Sequence, residues 1–140
     1  VTSINGKNNK MCNIFENDRI YVISGGSEDD RNSGDAGNDE QVGDLGNEVL
    51  YGGNRDDTLA GDSVNDILHG ERGINTLRGS PGKDIFYCGP NGDRITDFTV
   101  GEDNQFGNCI SRLSQEGGIT KDPVCLSLDQ INFLSSIMLI

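Results

Sequence analysis

Residues 43–69 read GDLGNEVLY GGNRDDTLA GDSVNDILH, three blocks of nine that superpose position by position. The first residue of each is glycine, the sixth is Glu48, Asp57 or Asp66, and the eighth is Leu50, Leu59 or Leu68. The same beat continues both ways. Upstream lie GGSEDDRNS (25–33) and GDAGNDEQV (34–42). Downstream lie GERGINTLR (70–78), GSPGKDIFY (79–87) and, with Cys88 replacing the first glycine, CGPNGDRIT (88–96). Across these blocks the sixth position is Asp30, Asp39, Glu48, Asp57, Asp66, Asn75, Asp84 and Asp93. The eighth is Asn32, Gln41, Leu50, Leu59, Leu68, Leu77, Phe86 and Ile95. A fixed oxygen ligand and a fixed inward residue at constant spacing specify a solenoid whose turns carry a ladder of metal ligands.

Within a block, the first six residues are loop chemistry and the last three a short strand with the eighth residue inward. Glycine at the first and often the fourth position is expected to supply backbone angles that a Cβ resists. A strand on each side of the coil needs a loop at each end, so two blocks make one turn. Asp30, Glu48, Asp66 and Asp84 then form one ladder, and Asp39, Asp57, Asn75 and Asp93 the other. Stacked turns lie about 4.8 Å apart. Carboxylates that close repel unless a cation sits between them. Calcium prefers six or more carboxylate and carbonyl oxygens, which the acidic ladder and the glycine loops supply. Turn-capping Asp and Asn on a metal-free coil are the competing explanation, but capping alone does not require a carboxylate at one fixed place.

The 140 residues make one domain with a core too lean for ordinary burial: 33% hydrophobic, no tryptophan, net charge −12. Such a composition reads as disorder unless the carboxylates are neutralised. The acidity argues against nucleic-acid binding, which needs clustered Lys and Arg. No stretch is long enough to span a bilayer. Cys12, Cys88, Cys109 and Cys125 form no C-x-x-C pair and the chain has one histidine, which disfavours zinc. Two disulfides are the expected state, and they imply export. A start at Val1 fits a mature chain after removal of a leader, although a shortened chain would look the same.

The spacing G-G-x-G-x-D-x-U-x resembles the RTX (hemolysin-type) calcium-binding repeat; GDLGNEVLY, GGNRDDTLA and GSPGKDIFY are its nearest matches here. The stretch RITDFTVGED (94–103) is similar to the segment that usually follows such repeats. The resemblance covers residues 18–104. It implies a parallel β-roll, calcium at the inter-turn sites and a chain largely disordered without calcium. Departures are Asn32 and Gln41 at inward positions, Glu28, Arg55, Val64 and Asn91 in place of the fourth glycine, and Glu48 and Asn75 among the ligands.

The expected fold is all-β, a right-handed parallel β-roll over residues 25–96, with an N-terminal extension and cap (1–24) and a C-terminal cap and apolar tail (97–140). Cys88–Cys109 is the favoured pairing because both residues flank the last turn; all three intramolecular connectivities stay open. Cys12 and Cys125 belong to opposite ends of the roll. The tail INFLSSIMLI (131–140) carries no charge and is expected to pack on its own domain or to join copies into a homo-oligomer or filament. Catalysis has little to stand on: His69 reads as an exposed strand residue, and no G-x-S-x-G appears. The third position is too irregular for an ice-binding array. The sequence therefore points to an extracellular or cell-surface calcium-binding structural protein rather than an enzyme. A calcium-dependent accessory or adhesin module of a larger secreted protein is the alternative.

Overall fold

A computed structural model describes residues 2–5, 11–13 and 20–111. Strands alternate between two walls. One wall stacks β1 (Thr2–Asn5), β3 (Tyr21–Gly26), β5 (Glu40–Leu45), β7 (Thr58–Ser63) and β9 (Thr76–Arg78). The other stacks β2 (Met11–Asn13), β4 (Arg31–Ser33), β6 (Val49–Gly53) and β8 (Ile67–Glu71). The long β10 (Ile85–Ile95) crosses from the second wall to the first and joins them into one sheet, and β11 (Asn104–Ser111) pairs along it. Every pairing is parallel.

The register follows from the repeat. Gln41 faces Leu59, Leu59 faces Leu77, Leu50 faces Leu68 and Leu68 faces Phe86, each step being two nonads. Inward residues therefore stack on inward residues. Leu50, Leu59, Leu68, Leu77, Phe86 and Ile95 form the core, closed at the C-terminal end by Phe98. A one-residue slip would turn the four leucines outward and bring residues such as Thr58, Thr76 and Arg78 inward, so one phase alone buries the column.

Two parts of the coil run beyond the nonads. Tyr21 and Ile23 are buried at positions corresponding to the sixth and eighth of an earlier block. The stacking thus starts ahead of Gly25, with β1 and β2 already on the two walls and Tyr21 in the ligand's place one block before the first nonad. Asn32 and Gln41 are fully buried at the inward positions; Gln41 Nε2 donates to the Tyr51 carbonyl at 2.6 Å, while both polar atoms of the Asn32 amide lack a partner. At the other end, Cys88 and Cys109 are joined by a disulfide packed against the core, as the sequence favoured. The pairing of Cys12 with Cys125, and the tail 131–140, lie outside the described residues.

His69 departs from expectation. It is stacked between Tyr51 and Tyr87 at ring separations of 4.5 and 4.6 Å, and Phe106 continues the stack 5.2 Å beyond Tyr87. Desolvation, with the Arg31 charge, lowers its pKa. A lone ninth-position residue gives no hint of this, because the stack arises only when residues two blocks apart are superposed. Arg31 caps it, with its guanidinium 4.7 Å over the Tyr51 ring and Nη2 donating to Tyr51 Oη at 2.8 Å.

The glycines act differently from the sequence expectation. Left-handed φ occurs at the second position of each block from 25 to 87, as at Asp44 (φ 76°) and Asp62 (φ 82°), and at the fourth in Arg55 (φ 85°) and Val64 (φ 78°). First-position glycines do not adopt it. They are required for space: a Cβ on Gly52 would stand 2.6 Å from Asp57 Oδ2 and 2.7 Å from the Gly70 carbonyl. Val64, β-branched and 49% exposed, holds a strained angle for little burial. Two substitutions three residues apart should therefore act in opposite directions. Val64→Gly should stabilise the calcium-loaded fold by about 1 kcal/mol, while Gly61→Ala, whose Cβ would collide with the Asp66 carboxylate, should cost about 2 kcal/mol or more. Thermal unfolding of both variants in calcium tests the pair, and a destabilised Val64→Gly would contradict the strain at that turn.

Candidate metal centre

The sixth residue of each block sits where the loop turns into the strand, and its side chain folds back beneath the loop. All eight sequence-nominated side chains are buried, with exposure of 0–4%. Their first oxygen has a fixed task. Asp57 Oδ1 accepts the Asp39 N–H at 2.8 Å, Asp66 Oδ1 the Glu48 N–H at 2.9 Å, and Asp84 Oδ1 the Asp66 N–H at 2.9 Å. Asn75 and Asp93 do the same for Asp57 and Asn75 at 2.8 and 3.0 Å. Each of these five side chains thus reaches back one turn and satisfies a backbone donor that the ladder of strands leaves open, whereas neither carboxyl oxygen of Glu48 does so. An amide serves as well as a carboxylate here, so this contact does not explain the acids.

The second oxygen does. Oδ2 of Asp30, Asp39, Asp57, Asp66 and Asp84 and both carboxyl oxygens of Glu48 are buried without a hydrogen-bond partner. They face the space left by the first-position glycines, where a carbonyl from the next turn also points. A Cβ on Gly34 would lie 2.6 Å from the Gly52 carbonyl, and one on Gly25 would lie 2.6 Å from the Gly43 carbonyl and 2.9 Å from Asp30 Oδ2. A buried carboxylate without a counter-charge is costly. Oxygen-only donors of mixed carboxylate and carbonyl type fit a hard cation such as calcium. Among the described residues no three His, Cys, Asp or Glu side chains gather at one point, so any ion here draws on backbone carbonyls as well as side chains.

Burial, reinforced by neighbouring acids, pushes Asp57 and Asp84 up to about 7 and raises Asp39, Asp66 and Glu48 above the ordinary carboxylate range. For Glu48 the adjoining Asp66 carboxyl adds to desolvation. The ladder therefore needs either a cation or protons.

Not all eight positions are alike. Asp93 Oδ2 accepts the Gly89 N–H at 2.9 Å, and the Asn75 amide donates to the Gly70 carbonyl at 2.8 Å and to Asp93 Oδ1 at 3.0 Å. The structure also adds members that the nonads hide. Asp103 continues the first ladder one residue out of step: Oδ1 accepts the Asp84 N–H at 3.0 Å and Oδ2 the Thr99 N–H at 2.7 Å. The fifth position forms a second, outward column running the opposite way. Asp29 accepts the Asn47 N–H, Asn47 that of Asn65, and Asn65 that of Lys83, while Asp56 accepts that of Ile74. The run Asp29, Asn38, Asn47, Asp56, Asn65 was visible in the aligned blocks as a signal for this column.

The raised values set a pH dependence for the metal-free chain. Folded, these groups hold protons that the unfolded chain releases near 3.8–4.5. That contribution is full below about pH 4 and is lost as pH rises to about 7. In excess chelator, circular dichroism should therefore show β-structure gained on acidification from pH 8 to pH 5. Unchanged signal over that interval would mean the ladder is not the acidic load on the fold.

The model of the RTX calcium-binding nonapeptide repeat (4 copies) matches residues 42–77 and 61–95. No curated protein and no solved structure matches the chain. The matched segment contains Glu48, Asp57, Asp66, Asn75, Asp84 and Asp93 together with the central turns of both walls. Residues 42–95 thus carry RTX calcium-binding nonapeptide repeats, and the strands of the described coil wind as a parallel β-roll.

Proposed function

We propose that this protein is an extracellular structural module whose turns are held together by calcium at the sixth-position ladders. The buried second oxygens of Asp39, Glu48, Asp57, Asp66 and Asp84 carry the reading, since no hydrogen-bond donor reaches them. Bound calcium would supply the positive charge that these oxygens lack. Asn75 and Asp93 belong to the same column, with their polar groups engaged by the protein itself. The proposed roles are divided between atoms at Asp39, Asp57, Asp66 and Asp84: one oxygen fixes the turn above, and the other, with loop carbonyls, faces the ion.

The Cys88–Cys109 disulfide and a calcium-dependent fold both suit an oxidising, calcium-rich exterior. End-to-end assembly is the finer proposal, supported by the uncharged sequence of 131–140 and by the repetitive stacking of a solenoid. Sedimentation of the oxidised, calcium-loaded protein tests it; a monomer at high concentration would reject assembly. The other reading is an accessory or adhesin module of a larger secreted protein, which an adjoining catalytic domain in the full reading frame would favour.

Asp66→Asn keeps the bond to the Glu48 N–H but removes the charge that faces the loop. It should raise the calcium midpoint of the coil-to-β transition about tenfold or more, whereas Asp29→Ala, in the outward column, should shift it by less than about threefold. Calcium titrations followed by circular dichroism measure both. Equal shifts would refute the assignment of the sixth position as the ligand column.

A further inference from the structure

The second ladder is chemically broken at one step. At Asp39 and Asp57 the outer carboxylate oxygen is buried and unpartnered, as at every sixth position of the first ladder from Asp30 to Asp84. At Asn75 the pattern stops. Its Oδ1 does the usual work, accepting the Asp57 N–H at 2.8 Å. Its Nδ2, fully buried, lies between two oxygens from consecutive turns: the Gly70 carbonyl at 2.8 Å and Asp93 Oδ1 at 3.0 Å. A Cβ on Gly70 would stand 2.9 Å from Nδ2, so the amide fills the same glycine-lined space that the orphaned carboxylates face elsewhere. Beyond it Asp93 has both oxygens engaged, by the Asn75 side chain and backbone and by the Gly89 N–H.

We propose that the Asn75 amide stands in for a cation at this step, so that the turn between Asn75 and Asp93 closes without metal. An NH₂ group offers two protons to two oxygens and carries partial positive charge where a cation would otherwise bridge them. Calcium then serves the first ladder along the nonads and the second only in its N-terminal half. This inference rests on calcium occupying the orphaned-oxygen positions. It assigns this chain's own departure from the repeat a positive role instead of a lost ligand. The metal-independent step lies beside the Cys88–Cys109 disulfide and the Phe86–Phe98 contact, whose ring centroids are 6.3 Å apart.

The test is the number of calcium ions bound per oxidised chain, by equilibrium dialysis, in wild type, Asn75→Asp and Asp57→Asn. Asn75→Asp restores the carboxylate and should bind one ion more than wild type. Asp57→Asn installs a second amide and should bind one ion fewer, with the β-sheet signal in saturating calcium retained. Wild-type stoichiometry in a folded Asn75→Asp would overturn the proposal while leaving the calcium ladder intact. If Asn75→Asp fails to fold, Asp57→Asn decides: loss of one ion supports the substitution of amide for cation, and an unchanged count overturns it. No calcium bound by wild type would defeat the ladder reading itself. The amide inference, which rests on that reading, would fall with it.

Discussion

One side chain per nonad ties the coil together, and it does so with two oxygens in different circumstances. The first accepts a backbone N–H from the preceding turn, at 2.8 Å for Asp57 and 2.9 Å for Asp84. The second is withdrawn from water and left without a donor. The first contact makes turns two blocks apart stack in register. The second makes that stacking unfavourable until charge is neutralised. With calcium on the second oxygen, as proposed, folding and ion binding would be the same event seen from two atoms of one carboxylate.

The core cannot replace this arrangement. It is one column of aliphatic and aromatic side chains from each wall, Leu50, Leu68 and Phe86 facing Leu59, Leu77 and Ile95, with Asn32 and Gln41 continuing the two in polar form. The N-terminal turns combine the buried polar side chains of Asn32 and Gln41 with an Asp39 carboxylate whose Oδ2 has no hydrogen-bond donor. The C-terminal turns combine an apolar interior with the disulfide and with carboxylates at Asp93 and Asp103 whose oxygens are bonded to the protein. Stability is thus distributed unevenly along an otherwise regular coil.

Most of this was legible because a solenoid converts sequence spacing into spatial neighbours. Nine residues per half-turn places Leu59 on Leu77 and Asp66 on Asp84 with no knowledge of tertiary structure. What escaped did so for definable reasons. Asp103 lies one residue off the beat, since the last turn departs from the nonad length. Tyr21 and Ile23 occupy repeat positions without repeat residue types. The role of first-position glycine was misread because composition cannot separate a need for left-handed φ from a need for room; close approach of the neighbouring turn decides it. The burial of His69 depends on Tyr51 and Tyr87 together, so no inspection of His69 alone reveals it.

The ring column has an optical consequence. The chain contains three tyrosines and no tryptophan, and all three tyrosines lie on the wound part of the molecule. Tyr51 and Tyr87 flank one imidazole at near-parallel interplanar angles of 4°, while Tyr21 is buried at the head of the other wall. Tyrosine absorption and emission therefore report on the coil itself. The protein carries an intrinsic, label-free gauge of its own winding, with Tyr21 near the N-terminal end, Tyr51 in the middle and Tyr87 beside the C-terminal disulfide.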